Sequence, residues 1–272
     1  MVTIGIDVGG STTKIVGFSD KEKMFAPISV SANDPVTSIY GALGRFTSEN
    51  AVLLDDIEKI KITGVGGSFI GSELYNRPCV HVDEFECFGS GGLYLTGLDR
   101  AIAVSMGTGT AIAYANADGV TEYLGGTGVG GGTLIGLAHR TIGLENFDII
   151  SELALEGDLS KVDLRIGDLY NPDRTFSLPE TMTASNFGKL SELATKEDIA
   201  LGLLNMVYES VGMLAVFAAR GKGIKDIVLT GHLATFPQAK TVFTTLNEMM
   251  NVNFIIPENP QFATAIGAAL HA

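Results

Sequence analysis

The chain has 272 residues, of which 46% are hydrophobic and 18% charged, and this composition excludes an intrinsically disordered protein. Its 31 acidic residues outnumber 18 basic ones, so the net charge of −13 argues against a nucleic-acid or anionic-membrane partner, which would need clustered Lys and Arg. The length suits one large domain or two small ones, with a small molecule as the favoured ligand.

The sequence predicts no disulfide framework, zinc site or membrane-spanning segment. Cys79 and Cys87 match none of the usual spacings, and we interpret them as reduced thiols in the core. Residues 1–20 lack the basic start of a secretory signal. Glycines and hydroxyl residues interrupt the uncharged stretches 101–117 and 123–139, which fall short of the ~18–20 apolar residues that span a bilayer. We therefore expect a cytoplasmic protein.

The first predicted element is a β-hairpin. β-prone runs over 2–8 and 14–18 flank a short loop. The loop consists of glycine and hydroxyl residues: Gly9, Gly10, Ser11, Thr12 and Thr13. Such a loop offers backbone N–H and hydroxyl donors to a phosphate, and Lys14 adds a positive charge. Asp7, near the end of the first strand with Val8 after it, can hold hydrated Mg²⁺.

The next elements are a helix over 35–49, a strand over 59–63 and a second helix over 84–97. The second helix opens on an acidic segment, Asp83 to Glu86. Judged from residue types alone, this segment is typical of a solvated acidic turn.

A second hairpin follows, with strands over 101–106 and 111–115. Its loop repeats the phosphate donors without the acid: Gly107, Thr108, Gly109 and Thr110. Aligning Asp7 with Ser105 places Gly9 on Gly107, so the chain is predicted to contain two related halves. Two such loops favour a clamp on both sides of one nucleotide phosphate chain, and neither matches a Walker A motif or a dinucleotide fingerprint.

The remaining pattern alternates helices and strands, which predicts an α/β architecture. Helices are predicted over 131–141, 144–156, 196–219 and 261–271, and a buried strand over 226–230. The helix over 196–219 begins with a capping box, Thr195 with Asp198, and carries apolar residues at three-to-four spacing.

These motifs resemble a known superfamily. The segments from Asp7 to Lys14 and from Ser105 to Thr110 resemble the two phosphate loops of the sugar kinase, heat-shock ATPase and actin superfamily. Within it, the chain is similar to type II pantothenate kinases over nearly its whole length. The segments that carry this similarity are Gly125 to Thr133, Val162 to Tyr170, Thr183 to Gly188 and Phe262 to Gly267.

The resemblance implies a two-domain actin-like ATPase fold of duplicated ribonuclease H-like domains, over 1–97 and 98–272, with nucleotide in the cleft between them. It implies ATP and Mg²⁺ as cofactors and pantothenate as the substrate, phosphorylated to 4′-phosphopantothenate at the start of coenzyme A biosynthesis. It also implies a homodimer, with the helix over 196–219 in the interface, and the acidic charge balance predicts no nucleic-acid or membrane partner.

The resemblance also assigns residues. The family's general base is a Glu followed seven residues later by Gly, which selects Glu84 through Gly91, with Asp83 and Glu86 as rivals. Asp7 is expected to orient Mg²⁺. A second group is expected to frame ribose and adenine: Gly130, Gly131, Gly132, Thr133, Gly231 and His232.

One position departs from the family pattern. Tyr123 stands where the family usually has an Arg that contacts the acceptor or the transferred phosphoryl group, and Arg100 or Arg140 could compensate. This departure favours a first alternative, a kinase for another small hydroxyl substrate. An actin-like assembly protein is disfavoured because 272 residues leave little room for extra polymer-contact subdomains, and an activator ATPase with a bridging iron–sulfur cluster because paired cluster-ligating cysteines are lacking.

Overall fold

The computed structural model describes residues 1–20, 23–31, 34–169 and 179–271, and these form two sheets, a two-stranded arm and seven α-helices. The first sheet has seven strands: β1 (Val2–Val8), β2 (Thr13–Ser19), β3 (Lys23–Met24), β4 (Ile28–Val30), β5 (Ile57–Thr63), β6 (Glu73–Leu74) and β7 (Arg77–His81). Their order is β3-β2-β1-β5-β7-β6, with β4 beside β2. β2 is antiparallel to β1, whereas β5 is parallel to β1, and β7 is parallel to β5.

The second sheet repeats this plan. The remaining strands are β8 (Arg100–Met106), β9 (Thr110–Asn116), β10 (Thr121–Thr127), β11 (Leu164–Arg165), β12 (Thr183–Ser185), β13 (Asp226–Thr230) and β14 (Asn253–Ile255). The sheet has the order β10-β9-β8-β13-β14, with β9 antiparallel to β8, and β13 and β14 continuing the sheet in parallel. β11 and β12 form a separate antiparallel arm. The prediction of two related halves is confirmed by this shared strand order.

The helices lie on both faces of each sheet. They are α1 (Pro35–Glu49), α2 (Glu84–Thr96), α3 (Gly131–Ile142), α4 (Phe147–Ala154), α5 (Lys196–Lys222), α6 (Pro237–Met250) and α7 (Ala263–Leu270). α1 covers the outer face of the first sheet with Ile39, Leu43 and Phe46. Helices α3 to α6 contribute to the larger apolar core on the outer face of the second sheet.

Helices α2 and α7 lie between the two sheets. α7 packs on β1, β2 and β5, although it ends the chain, whereas α2 packs on β8, β9, β10 and β13. The two helices also contact each other closely: a Cβ on Gly91 would collide with the Ala263 carbonyl oxygen, and a Cβ on Gly267 with the Cys87 carbonyl oxygen. Each half therefore supplies a helix to the sheet of the other. The domain division at residues 97 and 98 stays a prediction.

Helix α5 is the longest element of the described residues. By length and composition alone it could cross a membrane, but 61% of its most apolar 18-residue window is buried inside the protein. Tyr208 is fully buried there and donates from its hydroxyl to the Leu233 carbonyl at 2.8 Å. The helix begins at the predicted capping box of Thr195 and Asp198 and ends at Gly223, whose φ is +66°. These contacts make α5 a core helix of this fold.

Most predicted elements agree with the structure. α1 has the predicted bounds, and α5 extends three residues beyond the predicted 196–219. The helix expected over 144–156 begins later, at Phe147, because Asn146 caps it by accepting the Ile149 N–H. The sequence pattern did not predict β7, β10, α6 or β14. The motif segment that ends at Tyr170 extends outside the described residues.

Candidate active site

A cleft of about 1060 Å³ lies where the two glycine loops meet. The loops are close neighbours, since an ideal Cβ on Gly10 would lie 3.5 Å from Thr108 Oγ1. Most of the residues predicted for the site line this cleft: Asp7, Gly9, Gly10, Ser11, Thr12, Lys14, Glu84, Gly107, Thr108, Gly109, Thr110, Gly131, Gly132, Gly231 and His232.

The first loop presents a charged pair. Asp7 and Lys14 are register partners across β1 and β2, and Lys14 Nζ lies 3.3 Å from Asp7 Oδ2. Both side chains are largely buried, so their charges are less screened than on the surface. The Gly9 N–H closes the turn by donating to the Thr12 carbonyl at 3.0 Å.

Two predicted residues of this segment do not line the cleft. Val8 is buried in the core beneath the first sheet. Thr13 is also buried, and its hydroxyl accepts a hydrogen bond from Ser38 Oγ at 2.7 Å. Side chains alternate between the two faces of a strand, so these positions point away from the loop's open side.

The second loop is uncharged and is supported from behind. The Gly107 N–H donates to the Gly109 carbonyl at 2.9 Å, which repeats the turn closure of the first loop. The N–H groups of Gly131 and Gly132 donate to the carbonyls of Gly107 and Thr108, each at 2.8 Å. An ideal Cβ on Gly130 would lie 2.8 Å from Gly109 Cα, so the glycine-rich segment packs directly on the loop.

Of the site residues predicted within the glycine-rich motif, Gly130 and Thr133 do not line the cleft. Gly130 precedes the first turn of α3, and Thr133 Oγ1 donates to the Gly128 carbonyl at 2.9 Å. Their contacts hold the start of α3 in place beneath the second loop.

Glu84 is the first residue of α2 and faces the first loop. Asp83 caps the helix by accepting the N–H groups of Phe85 at 2.8 Å and Glu86 at 3.2 Å, which fixes the start of the helix at Glu84. Burial raises the pKa of the Glu84 carboxyl, and the negative charges of Asp7 and Asp83 raise it further, against a lowering by Lys14. A carboxylate with a raised pKa is a stronger base than one in water.

An aromatic cluster borders the other end of the cleft. The His232 ring meets Phe147 edge-to-face at 5.3 Å and Phe236 at 5.1 Å between ring centroids. Burial lowers the pKa of His232, and the positive charge of Lys14 lowers it further, which favours the neutral ring. A flat apolar surface beside a neutral imidazole suits a nucleobase.

Tyr123 lines the cleft on the side of Glu84. Its ring stacks on Phe85, the residue after Glu84, with centroids 4.3 Å apart and an interplanar angle of 26°. Arg100 and Arg140, either of which could have compensated for the missing Arg, both lie outside the lining of the cleft. Arg100 begins β8 and Arg140 lies in the last turn of α3.

Asp7 offers a carboxylate for a nucleotide-bound Mg²⁺ beside the first loop. The described residues contain no cluster of three or more His, Cys, Asp or Glu side chains that could hold a metal ion. Nucleotide-bound Mg²⁺ needs only one or two carboxylates, because waters and phosphates complete its shell. Asp7 fits this requirement, because Gly64 leaves space beside its second oxygen: a Cβ there would lie 2.9 Å from Asp7 Oδ1.

Several cleft residues were missed by the sequence analysis. They come from β4, from the turn after β5, from the loop before α4 and its first turn, and from around the start of α7: Ser29, Val65, Glu145, Asn146, Phe147, Asp148, Gln261 and Thr264. Thr264 lies in the segment from Phe262 to Gly267 that carries the family similarity, whereas no local motif marks the others. The two cysteines agree with their interpretation as core thiols, since both are free and buried, and burial raises the pKa of Cys79 to about 11.

Solved structures with the same fold define the class of protein. One is an activator of 2-hydroxyisocaproyl-CoA dehydratase from Clostridium difficile with bound ADPNP, which matches with a TM-score of 0.70 and 19% identity. The match covers 100% of this chain and 94% of the activator. A ROK family glucokinase from Streptomyces griseus, in complex with glucose and AMPPNP, has a TM-score of 0.64, 13% identity and coverages of 99% and 98%. The chain has the two-domain actin-like ATPase fold shared with sugar kinases.

Sequence similarity identifies the family within this class. The Fumble family model matches residues 101–254. A type II pantothenate kinase from Oceanobacillus iheyensis is 31% identical over 280 residues, which cover 99% of each chain. Another from Bacillus cereus strain G9842 is 30% identical over 288 residues, covering 99% of this chain and 98% of the relative. The chain belongs to the type II pantothenate kinase family.

Proposed function

We propose that this chain transfers the γ-phosphoryl group of ATP to the 4′-hydroxyl of pantothenate, giving 4′-phosphopantothenate, the first step of coenzyme A biosynthesis. The observation that carries this proposal is the position of Glu84. In a chain of this kinase family, the carboxylate lies in the cleft within electrostatic reach of Asp7 and Lys14 of the first glycine loop.

Glu84 acts as the general base. It accepts the proton of the acceptor hydroxyl as the new O–P bond forms and the bond to the leaving ADP breaks, a role worth ~10²–10⁴-fold in rate. Its raised pKa brings its basicity closer to what the hydroxyl needs. Asp83 holds Glu84 at the helix start, and Glu86 pairs with His271 at 2.8 Å instead of facing the first loop.

The two glycine loops hold the phosphates. Residues Gly9 to Lys14 bind them from one side and Gly107 to Thr110 from the other. When bound, Mg²⁺ neutralises phosphate charge in the transition state. Asp7 is the residue that would hold it. The adenosine lies at the other end of the cleft, against Gly131, Gly132, Gly231 and His232.

The proposal extends to the domain division, the oligomeric state and the cellular compartment. Residues 1–97 and 98–272 form the two lobes that close on ATP and acceptor. The enzyme works in the cytoplasm as a homodimer, with α5 in the interface.

Coupled ATP turnover with and without pantothenate tests this function. We expect pantothenate-dependent ADP formation, with phosphate recovered on the 4′-hydroxyl by mass spectrometry. Turnover with other small alcohols but not with pantothenate would instead support the second candidate, a kinase for another hydroxyl acceptor, which Tyr123 in the cleft wall favours. ATP-dependent sedimentation of the protein would support an assembly protein.

A further inference from the structure

The wall of the cleft beside Glu84 is aromatic. Tyr123 lies on β10, is half exposed and lines the cleft, while Phe85 covers one face of its ring. Phe85 in turn meets the buried Phe88 edge-to-face at 6.1 Å. The Tyr123 hydroxyl lies over Gly126, where an ideal Cβ would be only 3.1 Å from it. Phe85 therefore supports one face of the ring, and the hydroxyl lies beside Gly126.

This wall is close to the reacting group. A general base must come within about 2.6–3.2 Å of the oxygen whose proton it takes. Phe85 follows Glu84 directly, Tyr123 stacks on Phe85, and Glu84 and Tyr123 line the same cleft, so the aromatic wall borders the side of the cleft on which the proposed base lies.

The charges of the cleft do not suit an anionic group at this wall. Among the described residues that line it, the carboxylates are Asp7, Glu84, Glu145 and Asp148, and the basic side chain is Lys14 alone. Lys14 is paired with Asp7 and faces the phosphates of the first loop. Bound ATP adds further negative charge. An uncharged apolar part of the acceptor is the chemistry that matches an exposed aromatic surface here.

We propose that Tyr123, held on Phe85, is a specificity-determining residue that packs against a branched alkyl group beside the reacting hydroxyl. The acceptor class is a primary alcohol whose neighbouring carbon carries methyl groups. This inference rests on the proposed function and deepens it, because pantothenate has two methyl groups on the carbon next to its 4′-carbon.

The test compares two acceptors, pantothenate and its analogue that lacks both methyl groups. A pocket that contacts these methyls discriminates by about tenfold or more in kcat/KM. In Tyr123→Ala, kcat/KM for pantothenate should fall. The ratio of kcat/KM for pantothenate to kcat/KM for the analogue should then drop to about threefold or less. In Tyr123→Phe, which keeps the ring, the wild-type ratio should remain.

A matched control is Tyr94→Ala. Tyr94 is also half exposed and paired with a phenylalanine, Phe18 at 5.7 Å, but it does not line the cleft. In Tyr94→Ala, the ratio of kcat/KM between the two acceptors should equal that of the wild type. ATP affinity measured by calorimetry establishes that each variant is folded. We expect the effect mainly in KM, because ground state and transition state share the methyl contact.

The outcomes separate the two levels of the proposal. If the wild type phosphorylates neither acceptor, the proposed function is wrong. If it phosphorylates pantothenate but Tyr123→Ala keeps the wild-type ratio, the function stands and the role of Tyr123 is wrong. If Tyr123→Phe lost the preference for pantothenate over the analogue, the proposed role of the ring would also be wrong, because the hydroxyl would then decide the specificity.

Discussion

The two glycine hairpins have the same backbone plan and different chemistry. In both, the first glycine of the loop closes the turn with its N–H, to the Thr12 carbonyl in one and the Gly109 carbonyl in the other. The first hairpin places Asp7 and Lys14 opposite each other across its strands. The second places Ser105 and Ala111 at the matching positions. The two halves thus supply loops of one backbone plan, and the side chains of those loops make them unequal.

The asymmetry extends to Glu84, the proposed base. The charged groups that shift the pKa of Glu84 are Asp7, Asp83 and Lys14, and all of them come from the first third of the chain. The second half contributes backbone and support instead, through the N–H groups of Gly131 and Gly132. We infer that the first half carries the charge chemistry and the second half fixes the position of the phosphates.

The largest expected effect comes from removing the base. Glu84→Gln keeps the shape of the side chain but accepts no proton, so kcat should fall by ~10²–10⁴ with ATP affinity little changed. Steady-state kinetics and calorimetry measure the two quantities. The controls are Asp83→Asn, since Asn also caps a helix, and Glu86→Gln, and both should stay within about threefold of the wild type. A larger loss in either control would move the base to that neighbour.

The two matching positions of the hairpins should respond unequally. Asp7→Asn should lower Mg²⁺-dependent kcat by about 10²-fold, because the loop N–H donors survive while the carboxylate is lost. Ser105→Ala, its counterpart in the second hairpin, should stay within about threefold. Rates titrated with Mg²⁺ and calorimetric ATP binding provide the measurement. Equal losses in both variants would mean that the two hairpins share the charge chemistry.

The pH dependence of the rate reports the same asymmetry. The pKa of Glu84 is raised, and only the ionised carboxylate accepts a proton, so kcat should fall about tenfold per pH unit below that pKa. Asp83 raises this pKa by its charge, so Asp83→Asn should shift the acidic limb to lower pH, by less than about one unit. Rate profiles measured from acidic to neutral pH give the midpoints. A limb that stays in Glu84→Gln would belong to another group.

The sequence predicted the parts of the fold that local patterns encode. The hairpins, α1, α2 and α5 follow from periodicity, small-residue loops and caps, and the cleft residues within the loops follow from these motifs. The strand β10 was missed because most of its residues are partly exposed and its glycines resemble a loop. Phe147 and Gln261 reach the cleft only through tertiary packing. The exchange of α2 and α7 between the halves likewise depends on contacts between distant segments.

The smallest expected effect concerns the support behind the second loop. In Gly130→Ala, the new methyl group would lie 2.8 Å from Gly109 Cα and from the Thr108 carbonyl oxygen, so the loop must move. Such overpacking costs about 1–3 kcal/mol, which corresponds to a fall of roughly 2–4 °C in Tm for each kcal/mol. ATP affinity should fall as well, because the displaced loop carries the proposed phosphate donors.

Gly10→Ala is the matched change in the first loop. Its methyl group would meet Thr108 Oγ1 at an ordinary 3.5 Å, so the Tm of this variant should stay within about 1 °C of the wild type. Thermal unfolding and calorimetry compare the two variants directly. Equal melting temperatures would mean that the second loop is packed no more tightly than the first. The difference between the two hairpins would then be confined to their charged side chains.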